Sequence, residues 1–175
     1  MGLFLLSGAN ASAAAQIQSA LTVAPTYSVA MTGYNAVSAQ TDSDPTTTAS
    51  GAKSNPEIIA ARSIDLADEL PFGTVIAVEN AATSTNCGLG VVDEQIGYRV
   101  VADSMHSRKR NQIDLMFDME QSVKVGGKQT NPAVALGVCK NVQIRVVGKI
   151  DVSKMPRNQA ELQKVVDEQL LAINK

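Results

Sequence analysis

Tryptophan is absent from this chain, and tyrosine and phenylalanine together supply only 3% of its 175 residues. Any core must therefore be filled by Val, Ile, Leu, Ala and Met, and aromatic platforms for stacking sugars are scarce. Histidine occurs once, as His106, and cysteine twice, as Cys87 and Cys139. One imidazole and no C-x-x-C pair argue against a Cys/His zinc site. A Ser-His-Asp triad would have to recruit His106 from the polar stretch HSRKRN, where an exposed loop residue is the simpler reading. Charge is sparse as well. Charged residues are 18% of the chain and the net charge is −2, which leaves no basic footprint for nucleic acid. No segment approaches the roughly 20 apolar residues of a spanning helix, so no integral membrane segment is expected. Asp42 and Asp44 sit in a polar loop, but the glycine and glutamate spacing of an EF-hand is missing. Turn-forming acids are expected there.

The length suits one domain with a real core plus some appendage, and the chain reads as three zones. Residues 1–25 form a signal-peptide-like leader and tail. The apolar run Leu3 to Leu6 leads into small residues, and Ala11-Ser12-Ala13 matches an A-x-A cleavage pattern, although a basic start is lacking. An exported protein of the periplasm or cell envelope is expected. Neither cysteine lies near the leader, and Leu6 stands where myristoylation requires Ser or Thr. In an exported chain Cys87 and Cys139 become candidates for one disulfide; in a cytosolic chain they would be small apolar residues.

Residues 26–150 hold six β-rich runs: TYSVAMTGYNAV, EIIAARS, TVIAVEN, YRVVADSM, QIDLMF and NVQIRVVGKI. Gly-, Asn-, Ser- and Pro-bearing connections join them, which predicts a small barrel rather than βαβ units. Only the connection over about residues 118–138 has room for a helix, and Gly126, Gly127 and Pro132 interrupt it. The loop QTDSDPTTTASGAKSNP, residues 40–56, is long enough to suggest a functional role. In residues 151–175, Leu162, Val165, Val166, Leu170 and Ile173 fall on one helical stripe. Asn158 and Glu161 offer an N-cap with its box partner. A C-terminal amphipathic helix is expected, packed on the domain or docking a protein partner.

The stretch VADSMHSRKRNQIDLMF, residues 101–117, carries two acids that a strand burying one face does not need. In QIDLMF, alternation puts Ile113, Leu115 and Phe117 on one face and Asp114 with Met116 on the other. Asp103 ends its strand after Val100, Val101 and Ala102. If the two strands are neighbours, both acids can look into one groove outside the barrel. Crowded carboxylates retain a proton on one of them, which makes a general acid near neutral pH. The competing reading has each acid capping a turn or pairing with Arg108, Lys109 or Arg110.

In order, TASG, IIAARSIDLADELPFGT, VVADSM, NQIDLMF and LGVCKNVQIRVV resemble the 3D domain, a family named for three aspartates. The resemblance covers about residues 30–148. It implies a mainly β fold, a six-stranded double-psi β-barrel akin to rare lipoprotein A and to the catalytic domain of membrane-bound lytic transglycosylase A. Asp103 matches the aspartate closing V-x-D-[ST], and Asp114 the one before an apolar pair. The first family aspartate falls on Asp65, with Asp68 as competitor, because the segment before PFGT is longer than usual. Met105-His106 replace the glycines that usually follow the middle aspartate, and GGKQTNPA is an insertion.

Active members of that family cleave peptidoglycan without water and without metal or cofactor. One aspartic acid protonates the glycosidic oxygen, and a hydroxyl of the same sugar closes a 1,6-anhydro ring. The resemblance therefore implies an exported lytic transglycosylase acting on peptidoglycan glycan strands, with Asp65 as the acid and Asp103 and Asp114 tuning it and binding sugar. Thr48, Ser50 and Lys53 in the long loop are candidate substrate-binding residues, and Tyr34 a rim residue. Two alternatives stand beside this. One is a non-catalytic cell-wall or partner-binding barrel; the other is a hydrolase using two acids and water.

Overall fold

The computed structural model describes residues 24–41, 44–81 and 87–173. The expected leader, up to residue 23, and Asp42 lie outside the described residues. Among the described residues eight strands form: β1 (Thr26–Asn35), β2 (Ile59–Arg62), β3 (Thr74–Val78), β4 (Arg99–Ser104), β5 (Gln112–Phe117), β6 (Val123–Val125), β7 (Lys128–Thr130) and β8 (Cys139–Lys149). Helices are α1 (Asp93–Ile96), α2 (Pro132–Leu136) and α3 (Gln159–Ile173). Each of the six β-rich runs becomes one barrel strand.

The barrel closes in the order β1–β5–β2–β4–β3–β8. β1 runs parallel to β5, and β2 parallel to β4, while the other four pairings are antiparallel. Exchanging β1 with β4, β2 with β5 and β3 with β8 returns the same ring of neighbours with the same directions. That internal pseudo-twofold is the signature of a double-psi barrel.

Period-2 alternation splits the apolar residues between two clusters. Met31, Ala60, Ile76, Val101, Ile113, Leu115, Phe117 and Ile144 fill the interior. Ile59, Ala61, Val100, Ala102 and Met116 face outward into a second cluster completed by Leu162 and Val166 of α3. The C-terminal helix thus packs back on the barrel through its first turns. Burying Leu162 and Val166 contributes about 1.5–3 kcal/mol each. Asn158 Oδ1 caps α3 by accepting from Glu161 N at 2.9 Å. The Glu161 carboxylate takes the Arg157 amide instead of the Asn158 amide, so the box is offset by one residue.

The connection after β5 divides into parts that its sequence states locally. Gly126 and Gly127 both have positive φ and turn β6 into β7, as a two-residue hairpin requires. Pro132 does not interrupt a helix but starts α2, whose first turn is capped by Asn131 accepting from Ala133 N. Cys87 and Cys139 form a disulfide, with Cα atoms 5.4 Å apart. It fastens the segment before α1 to the start of β8. Arg99 was not singled out by its sequence, yet it is fully buried. Its guanidinium donates to the carbonyls of Gln95, Ile96, Pro56, Ile59 and Met116 and lies 5.4 Å from the Phe117 ring centroid. No carboxylate among the described residues pairs with it, and burial pulls it down to about 9.

Candidate active site

Four adjacent strands align one residue each in a single row: Thr32 of β1, Asp114 of β5, Ala61 of β2 and Asp103 of β4. The acids flank Ala61, two strand spacings apart, or roughly 10 Å between backbones. Asp114 reaches the outer face by simple alternation. Asp103 reaches it through a β-bulge. Ala60 pairs with Val101 and the next residue, Ala61, pairs with Asp103, so Ala102 is the extra residue. Val101 points inward, and unbroken alternation would send Asp103 inward too. The bulge re-aims it.

Together the acids line a groove of about 500 Å³ on the outside of the barrel. Ala61 and Met116 form its floor, Thr47 and Ala49 come from the long loop, and His106 and Lys109 from the β4–β5 loop. His106 is exposed, as expected of a loop residue, and it stands on the rim. The TASG segment docks on the bulge, with Ser50 N donating to Ala102 O at 3.1 Å.

The two carboxyls have opposite surroundings. Asp103 accepts from Ala49 N at 2.9 Å, from Ser104 N at 2.9 Å and from the Tyr34 hydroxyl at 2.8 Å. Three donors from three chain segments suit a carboxylate. Burial, reinforced by Asp103, pushes the Tyr34 phenol well above its ordinary range, so Tyr34 remains a donor. Asp114 accepts one bond, from Thr32 Oγ1 to its Oδ1 at 2.9 Å, and Thr32 in turn accepts from Gln112 Nε2 at 2.8 Å. Its other oxygen takes no hydrogen bond among the described residues. Burial pushes Asp114 up to about 6, with Asp103 adding to the rise and Thr32 and Lys109 opposing it.

The third acid stands apart. Asp65 is exposed on the 3₁₀ turn Ile64–Leu66 and does not line the groove. Hydrogen bonds from the Ser63 hydroxyl and from Asn111 N hold its carboxyl below the usual range. The Asn111 bond, 2.9 Å long, secures the end of the β4–β5 loop, where Asn111 has a positive φ of 47°. Asp68 is also exposed and outside the groove. The expected meeting of three acids is therefore a meeting of two.

The expected sugar-binding loop residues are displaced by one position. Thr48 is buried and closes its turn on Ala52 O and Ser50 Oγ, and Ser50 faces Thr48. Lys53 pairs with Thr47 across the loop and opens onto a separate depression. Their neighbours Thr47, Ala49 and Ser54 line the groove instead. Within a closed turn, side chains that complete the turn's own bonds cannot also face the groove. Lys109, one of the three cations expected near the acids, acts on Asp114; Thr32 was missed but within reach, since alternation places it on the same face as Tyr34.

The barrel shares no group of three or more His, Cys, Asp or Glu side chains able to hold a metal among the described residues. No family model matches the chain, and no curated protein matches it either.

Proposed function

We propose that this barrel is a peptidoglycan-cleaving lytic transglycosylase of the 3D-domain type, exported to the cell envelope, with Asp114 as its general acid and base. The observation that carries the reading is the contrast within one groove. Burial pushes the half-buried Asp114 up to about 6, whereas Asp103 accepts three hydrogen bonds. Near neutral pH a fraction of Asp114 is protonated, which general-acid catalysis requires.

A glycan strand laid along the groove would bring its glycosidic oxygen to the unbonded oxygen of Asp114. Proton transfer to that oxygen breaks the bond to the anomeric carbon and frees the leaving sugar's hydroxyl. The C6 hydroxyl of the sugar left behind then attacks the anomeric carbon, and the Asp114 carboxylate takes its proton. The acid is restored, and no water is consumed. Thr32 fixes the Asp114 rotamer, and Asp103 opposes the positive charge that develops on the sugar ring.

Incubation of purified sacculi tests the reading. Anhydro-muropeptides should be released by the wild type and by Asp65→Asn, and lost with Asp114→Asn. Release unaffected by Asp114→Asn would overturn the acid assignment, and reducing-end products without the anhydro ring would favour a hydrolase.

A further inference from the structure

A second depression adjoins the acid groove. Ser54 lines the groove and also lines this open depression of about 540 Å³. One wall of that depression is residues 51–56, the other residues 152, 153 and 155–157. Asn55 Nδ2 donates to Arg157 O at 2.9 Å and ties the walls together. Lys53 and Arg157 both line it, and no acidic residue does. Both cations are exposed, and neither enters an ion pair among the described residues. Asp151, close in sequence, spends one carboxylate oxygen on the amide and hydroxyl of Ser153.

We infer that this depression is a subsite for a carboxylate-bearing branch of the glycan, such as a peptide stem, held by Lys53 and Arg157. The inference rests on the glycan reading of the acid groove. Two adjoining depressions suit an extended ligand better than a single sugar. A negatively charged branch over Asp103 and Asp114 would be repelled, while the same branch directed past Ser54 meets two cations. Arginine's planar fork can take a carboxylate with two parallel bonds, and lysine adds a point charge. The neutral sugars would then lie over the acids and the anionic branches beyond them.

Calorimetric titration of the full chain with soluble peptidoglycan fragments tests this, using fragments with peptide stems and the same fragments after amidase removes them. The wild type should bind the stem-bearing fragment about tenfold more tightly, with the preference shrinking at about 0.5 M salt. The double substitution Lys53→Gln/Arg157→Gln should abolish the preference and leave the stem-free affinity within about twofold. Equal affinities in the wild type, no binding to either fragment, or a preference that survives the double substitution would overturn the subsite. Asp114→Asn should retain the preference. Preferential binding without any anhydro product from the wild type would keep the subsite and overturn the cleavage reading alone.

Discussion

Replacing Asp114 with asparagine separates the carboxyl's effect on stability from its effect on chemistry. Asn keeps the shape and an oxygen to accept the Thr32 hydroxyl, but it cannot ionise. In the wild type the acid titrates at about 6 in the fold, against 3.8 for a free side chain. Between those values the folded chain holds a proton that the unfolded chain has released. The contribution of this carboxyl to stability is therefore greatest below about pH 4, falls as the pH rises towards 6, and levels off above it. At 1.36 kcal/mol per pH unit the full cost is about 3 kcal/mol, an upper figure because the side chain keeps some solvent contact. Asp114→Asn should match the wild type near pH 3.5 and exceed it by up to about 3 kcal/mol at pH 7.5. Urea unfolding followed by circular dichroism at several pH values reads this as a midpoint difference of roughly 1–2 M that opens with pH. A constant offset at every pH, or a wild type that is the more stable at pH 7.5, would refute the reasoning. The more stable variant should also be the inactive one, the expected exchange when a buried acid is kept for its reactivity.

Three further outcomes follow from the geometry. The disulfide closes a span of 52 residues, so Cys87→Ser/Cys139→Ser should lose about 4 kcal/mol and roughly 10 °C in Tm by scanning calorimetry; a fall below about 2 °C would count against it. Arg99→Met should lose at least about 3 kcal/mol, because five carbonyls, three of them in buried bonds, lose a donor together, and Arg99→Lys should not rescue it, since a single ammonium cannot reproduce the fork. Tyr34→Phe removes a bond to a carboxylate acceptor and should cost about 2 kcal/mol, while also weakening the proposed glycan cleavage through a less firmly held Asp103; unchanged unfolding and unchanged turnover would exclude that bond as a support of the groove.

The fold was legible because each barrel strand is its own β-rich run bounded by turn residues, and Asp114 could be placed outward from QIDLMF alone. Asp103 could not be placed that way. VVADS contains nothing that marks Ala102 as the extra residue, since the bulge exists only relative to the partner strand β2. Asp65 shows the converse limit. Its segment carries the aspartate expected of the first family position, but its carboxylate is claimed by the Asn111 amide, 46 residues away, and it faces solvent. What raises one acid and not the other towards neutral pH in the proposed role is likewise absent from the local pattern. Asp103 and Asp114 are both strand aspartates beside apolar residues, yet Asp103 collects donors from Ala49, Ser104 and Tyr34 while Asp114 receives only the Thr32 hydroxyl. Those donors arrive through the long loop, the bulge and β1. The chemical difference between the acids is thus set by tertiary packing, and motif matching alone favoured the acid that the fold leaves outside the groove.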